Sequence, residues 1–128
     1  TLLHTGQVDY TNAMRRLGSA AAGNREPLEQ LFGDTPDAPV ADWVKRWLAL
    51  ANPDRQTERL MNAVNPLYIP RNHLVEQALS GAVDNNDFAE FDQLLSIVSQ
   101  PYEAQAGRQS YEQPAPADSA PYQTFCGT

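Results

Sequence analysis

The sequence has 128 residues, with nine Lys and Arg against sixteen Asp and Glu, for a formal charge of −7. That balance repels a phosphate backbone, and no basic run gathers on one face, so nucleic acid is excluded as the expected partner. No run approaches the roughly 20 apolar residues that span a bilayer, the N-terminus lacks a secretory pattern, and a single cysteine rules out an intrachain disulfide, so a cytoplasmic setting without membrane contact is expected.

The start at Thr1, followed by Leu2-Leu3-His4, reads as the continuation of a longer protein. From Asp9, apolar Tyr10, Met14, Leu17 and Ala21 recur at helical spacing, with Arg15 and Arg16 on the opposite side and Gly23 as a stop. Asn24 is a candidate cap for a short second helix with Pro27 in its first turn, Leu28, Leu31 and Phe32 as its apolar edge, and Gly33 at its end. After the turn cluster at 34–37, Val40, Trp43, Val44, Trp47, Leu48 and Ala51 give the strongest helical period in the chain. Trp43 and Trp47 fit a core or an interdomain seam and are the candidates for an interface. Asn52-Pro53-Asp54 breaks that helix, and the next runs through Leu60, Met61 and Val64 until Asn65-Pro66 stops it.

Asn65, Pro66, Tyr68, Pro70, Arg71 and Asn72 form a proline-bracketed turn, stiffened by two fixed φ angles, between two helices. Arg71 is expected to tie down carbonyls at the preceding helix end, and Asn72 to cap the following helix. That helix carries Leu74, Val75, Ala78, Leu79 and Ala82. Asp87 with Glu90 then resembles a capping box ahead of the apolar stripe Phe88, Phe91, Leu94, Leu95 and Val98. From Pro101 to Thr128, Pro, Gln, Ala, Ser and Gly prevail with no period, so this tail should order only by packing on its own domain or on a neighbouring copy, with its spaced tyrosines as anchors. The expected architecture is all-α: an irregular bundle of about five or six helices over residues 1–100, then an extended tail over 101–128.

No complete catalytic apparatus appears. His4 and His73 have no partners at metal-ligand or nucleophile spacing, and there is no Gly-rich phosphate loop, nucleophile elbow or calcium loop. The pair Asp87 and Glu90 is explained by favourable charge at a helix start. Cys126 has no adjacent Lys, Arg or His to lower its pKa, so its surroundings in sequence give it no role.

Several motifs in order, Val8-Asp9-Tyr10-Thr11-Asn12 with Arg15, Asn65-Pro66-x-Tyr68-x-x-Arg71-Asn72, Asp87-Phe88, Pro101-Tyr102 and a cysteine third from the end, resemble the C-terminal region of the selenoprotein O family. The match runs over nearly the whole chain, and the Asn-Pro-x-Tyr-x-x-Arg-Asn segment is its most specific part. Pro70 stands where many relatives have leucine, and the ending Tyr122-Gln-Thr-Phe-Cys-Gly-Thr is similar to a bacterial branch. The resemblance implies a kinase-like protein that binds ATP with Mg or Mn and transfers AMP to hydroxyl groups of protein substrates. Its nucleotide and metal ligands would lie upstream, so that this segment is a non-catalytic helical portion packing against the kinase-like part. It also implies a redox role for Cys126, whose thiol would pair with a cysteine outside this chain. The alternative from another class is a self-contained helical protein-interaction module, using the Trp43/Trp47 face or the tyrosine-bearing tail.

Overall fold

This computed structural model describes residues 7–33 and 38–117, and among them are six α-helices, two 3-10 turns and no strand. The all-α class expected from the spacing of apolar residues is the one observed. Two compact units divide the chain, with the boundary between Leu67 and Tyr68.

In the first unit, α1 spans Tyr10–Ala21, α2 spans Glu26–Glu29 and continues as a 3-10 turn over Gln30–Phe32, α3 spans Ala38–Ala51, and α4 spans Arg55–Val64. Asp9 caps α1, its Oδ1 accepting the Asn12 amide at 2.9 Å. The buried face of α1 is rotated from the expected one: Ala13, Leu17, Gly18, Ala20 and Ala21 turn inward, and Tyr10 is 66% exposed. Small residues let neighbouring elements approach the α1 backbone, and this outweighs the larger ring at position 10. Arg15 and Arg16 do not face solvent either. Arg16 Nη1 donates to the Pro27 carbonyl at 2.9 Å, and Arg15 reaches α4.

At α2 the expected cap is absent: Arg25, already helical in its angles, occupies the N-cap position without a side-chain bond. Pro27 does sit in the first turn, where its missing N–H costs nothing, and Gly33 ends the turn at φ 96°. The core of this unit consists of Leu17, Ala20, Leu28, Val40 and Val44, with Leu31, Phe32, Trp47, Leu48 and Met61 packed on it. Each fully buried aliphatic side chain of this kind contributes about 1.5–3 kcal/mol. Helix α4 begins with a reciprocal cap: the Thr57 amide donates to Asp54 Oδ1 at 2.8 Å, and the Asp54 amide donates to Thr57 Oγ1 at 3.2 Å. Of its expected apolar positions only Met61 packs on the core, while Leu60 and Val64 are exposed.

In the second unit, α5 spans Asn72–Asn85 and α6 spans Ala89–Val98, joined by a tight turn in which Asn86 adopts φ 52° and the Asp87 amide donates to the Gly81 carbonyl at 3.1 Å. Asn tolerates this left-handed angle better than most side chains do. The capping box expected at Asp87 and Glu90 is not formed. Asp87 Oδ1 instead accepts the Ala89 amide two residues on at 3.0 Å, and Glu90 Oε1 accepts from Gln77 Nε2 on α5 at 3.1 Å. The inward face of α6 is Leu94 with Ile97, and Phe88, Phe91 and Leu95 of the expected stripe remain substantially exposed. After α6, residues 101–117 are non-helical except for a 3-10 turn over Gln109–Glu112.

Candidate functional site

The six residues of the proline-bracketed turn do different jobs on either side of the unit boundary. Asn65 closes α4 in the first unit: its amide and its side-chain Nδ2 both donate to the Met61 carbonyl, at 2.9 and 2.8 Å. Pro66 follows, and residues 65–71 are non-helical. The free carbonyls at this helix end are collected by Arg15 of α1, whose Nη1 donates to the Asn62 and Asn65 carbonyls at 2.8 and 3.0 Å. A guanidinium suits this place because it presents several donors to the negative end of the helix dipole. Arg15 thus performs the task that sequence position suggested for Arg71.

Tyr68 and Arg71 belong to the second unit, and both are buried. The Tyr68 amide donates to the Pro101 carbonyl at 3.3 Å, and its phenolic oxygen accepts the Gln105 amide at 2.9 Å. Arg71 Nη2 donates to the Glu112 carbonyl at 2.8 Å. Arg71, in extended conformation, is the N-cap residue of α5 but makes no side-chain cap bond, and Asn72 is the first helical residue, not the cap. Pro70 lines an apolar groove with α5 and α6. Together Tyr68 and Arg71 hold residues 101–112 by their backbone, which is why a segment without periodicity has a defined path.

Gln105 completes this arrangement and carried no signal in the sequence. Its Nε2 donates to the carbonyls of Ile97 and Gln100, at 3.1 and 3.2 Å, satisfying the end of α6. Gln93 Nε2 donates to the Tyr111 hydroxyl at 2.8 Å, so one of the spaced tyrosines does serve as an anchor. Trp47 packs on the core of the first unit, whereas Trp43 on the neighbouring turn of α3 is 36% exposed. His73 is half-buried on α5, and His4, Tyr122, Phe125 and Cys126 lie outside the described residues.

No protein-family model and no solved structure matches the chain. Curated relatives do match it. The chain is 47% identical to the protein nucleotidyltransferase YdiU of Mycolicibacterium paratuberculosis, over 99% of this chain and 25% of that protein. Identity is 37% with the protein of the same name from Maridesulfovibrio salexigens, over 99% of this chain and 26% of the relative. It is 40% with that of Rhizobium meliloti, over 100% and 27%.

The chain is a C-terminal region of a selenoprotein O family protein. It spans about a quarter of the length of the curated relatives it matches. Within this region of the selenoprotein O protein, the described residues include no group of three or more His, Cys, Asp or Glu placed to hold a metal ion. No helix among the described residues is long and apolar enough to cross a membrane.

Proposed function

We propose that the intact protein is a protein adenylyltransferase whose nucleotide and metal site lies in a kinase-like part upstream, and that this segment is a non-catalytic support for that part. The observation that carries this reading is the match of nearly the whole segment to relatives named protein nucleotidyltransferase, of which it spans a quarter. In the reaction, a substrate hydroxyl oxygen bonds to the α-phosphorus of ATP, the bond to the β-phosphate oxygen breaks, pyrophosphate leaves, and the hydroxyl proton passes to a base. Cys126 acts as a redox element: its thiol and an upstream cysteine form a disulfide, giving two electrons and two protons to a disulfide oxidant such as oxidised glutathione.

Incubating the intact protein with Mg and ATP labelled at either the α- or the γ-phosphate tests both statements. Adenylyl transfer places α-label, and no γ-label, on protein. Incorporation of γ-label, or of neither, refutes it. Oxidised glutathione should change the rate of the parent protein and leave the Cys126→Ser variant unaffected, and an equal response of the two removes the redox role.

A further inference from the structure

We infer that the groove between α5 and α6 is a docking site for the C-terminal end of this same chain, with the Phe125 ring as its occupant. The groove is lined by Pro70, by Val75 and Ala78 of α5, and by Phe91, Leu94, Leu95 and Val98 of α6, without a polar residue among them. Its volume is about 170 Å³. An apolar cavity of about 150 Å³ is sufficient to hold a benzene ring, so the groove accepts one aromatic side chain. Phe91 and Leu95 in its lining are 39% and 52% exposed among the described residues, which leaves room for a cover. An open apolar groove of this kind marks a binding surface.

The anchoring of residues 111 and 112 selects this occupant. Arg71, next in sequence to the groove residue Pro70, donates from Nη2 to the Glu112 carbonyl at 2.8 Å. Gln93, next to the groove residue Leu94, donates from Nε2 to the Tyr111 hydroxyl at 2.8 Å. The chain leaves this anchor extended, with Gln113 at φ −79° and ψ 138°. Beyond Glu112 the sequence carries two aromatic residues, Tyr122 and Phe125, and no Leu, Ile, Val or Met. Phe125 follows Glu112 by 13 positions, and a flexible chain of that length spans about 20 Å. Helix α5, with 14 residues, is about 21 Å long, so the tether matches the distances along the groove. A tether of matching span presents its ligand at roughly millimolar effective concentration, which favours it over a second copy. The apolar lining selects between the two rings: the Tyr122 hydroxyl would lose its water there without a side-chain partner, whereas Phe125 has no polar atom to satisfy.

Hydroxyl-radical footprinting of the intact protein, read residue by residue by mass spectrometry, tests this in the parent and in Phe125→Ala and Tyr122→Ala variants, which leave every residue of α5 and α6 in place. If the groove is open, exposures of 52% and 39% slow oxidation of Leu95 and Phe91 only about two- to threefold below the same residues in an unfolded peptide, the inverse of those fractions. Burial of a phenylalanine ring favours the docked state by a factor of about ten or more, so the expected slowing in the parent is about tenfold at both residues. Phe125→Ala should return both to the two- to threefold slowing of an open groove, and Tyr122→Ala should keep the protection of the parent. Slowing of only two- to threefold in the parent overturns the proposal. Protection that survives Phe125→Ala overturns it in favour of another cover, and protection lost equally with Tyr122→Ala overturns the choice of ring. The readout depends neither on AMP transfer nor on the Cys126 thiol, so failure of the docking and failure of the proposed function are told apart.

Discussion

Gly18 and Asn62 make the closest approach in the first unit: a Cβ placed on Gly18 would lie 2.9 Å from Asn62 Oδ1. That oxygen is buried, and no donor among the described residues reaches it. Alanine at position 18 gains about 1 kcal/mol of helix propensity but must displace the amide of Asn62. The two positions should therefore be coupled. The Gly18→Ala, Asn62→Ala double variant is expected to be more stable than the sum of the single changes by about 1 kcal/mol. Amide exchange over α1 and α4 in the intact protein measures this, and strict additivity would contradict it. Arg15 and Arg71 show what the sequence leaves open at this scale. Both are arginines close to a helix end in sequence or in space, yet the partner of each lies 41 or more residues away, and no local pattern encodes such a choice.

At the scale of elements, the helices were readable because their apolar periods are local, and the stops at Gly23, Gly33, Pro53 and Pro66 fell where expected. Faces were less readable. On α1 the buried stripe is built from Ala and Gly, whose small size gives a weak apolar signal, and on α6 apolar residues surround so much of the helix that Ile97 could not be singled out as the inward one. Caps were not readable: the expected Asn24 and Asn72 cap nothing, and Asp54, read only as part of a helix break, caps α4. The Thr57 backbone amide, assisted by the Thr57 hydroxyl, holds the Asp54 carboxyl below its ordinary 3.8. A carboxyl whose pKa is lowered on folding stabilises the helix above its unfolded value, and that contribution fades as pH falls through the folded one. Asp54→Ala should accordingly speed exchange of the first-turn amides of α4 at neutral pH. The difference from the parent should narrow as the pH is taken below 3.8, and a gap that persists undiminished in acid would argue against the charge.

For the whole molecule, the segment after α6 is the part that composition describes least well. Its order comes from residues distant in sequence, with Tyr68 holding Gln105 and Arg71 holding Glu112, so a search for periodicity within 101–117 could not find it. Tyr68→Phe keeps the buried ring and removes the acceptor for the part-buried Gln105 amide, which should cost about 1 kcal/mol. Limited proteolysis of the intact protein should then cut within residues 101–112 more readily, while the first unit keeps its resistance. Unchanged cleavage would show that the hydroxyl does not hold this stretch.

The position of the unit boundary also tells the experimenter where to divide the polypeptide. A recombinant version of the second unit that opened at Asn72, the visible start of α5, would contain both of its helices and still lack Tyr68 and Arg71. It would forfeit the two side chains that retain its own final stretch, and its poor behaviour would be misread as intrinsic instability. A start at Tyr68 or earlier, though it begins in the middle of what reads as one continuous motif, is the cut that keeps the unit whole.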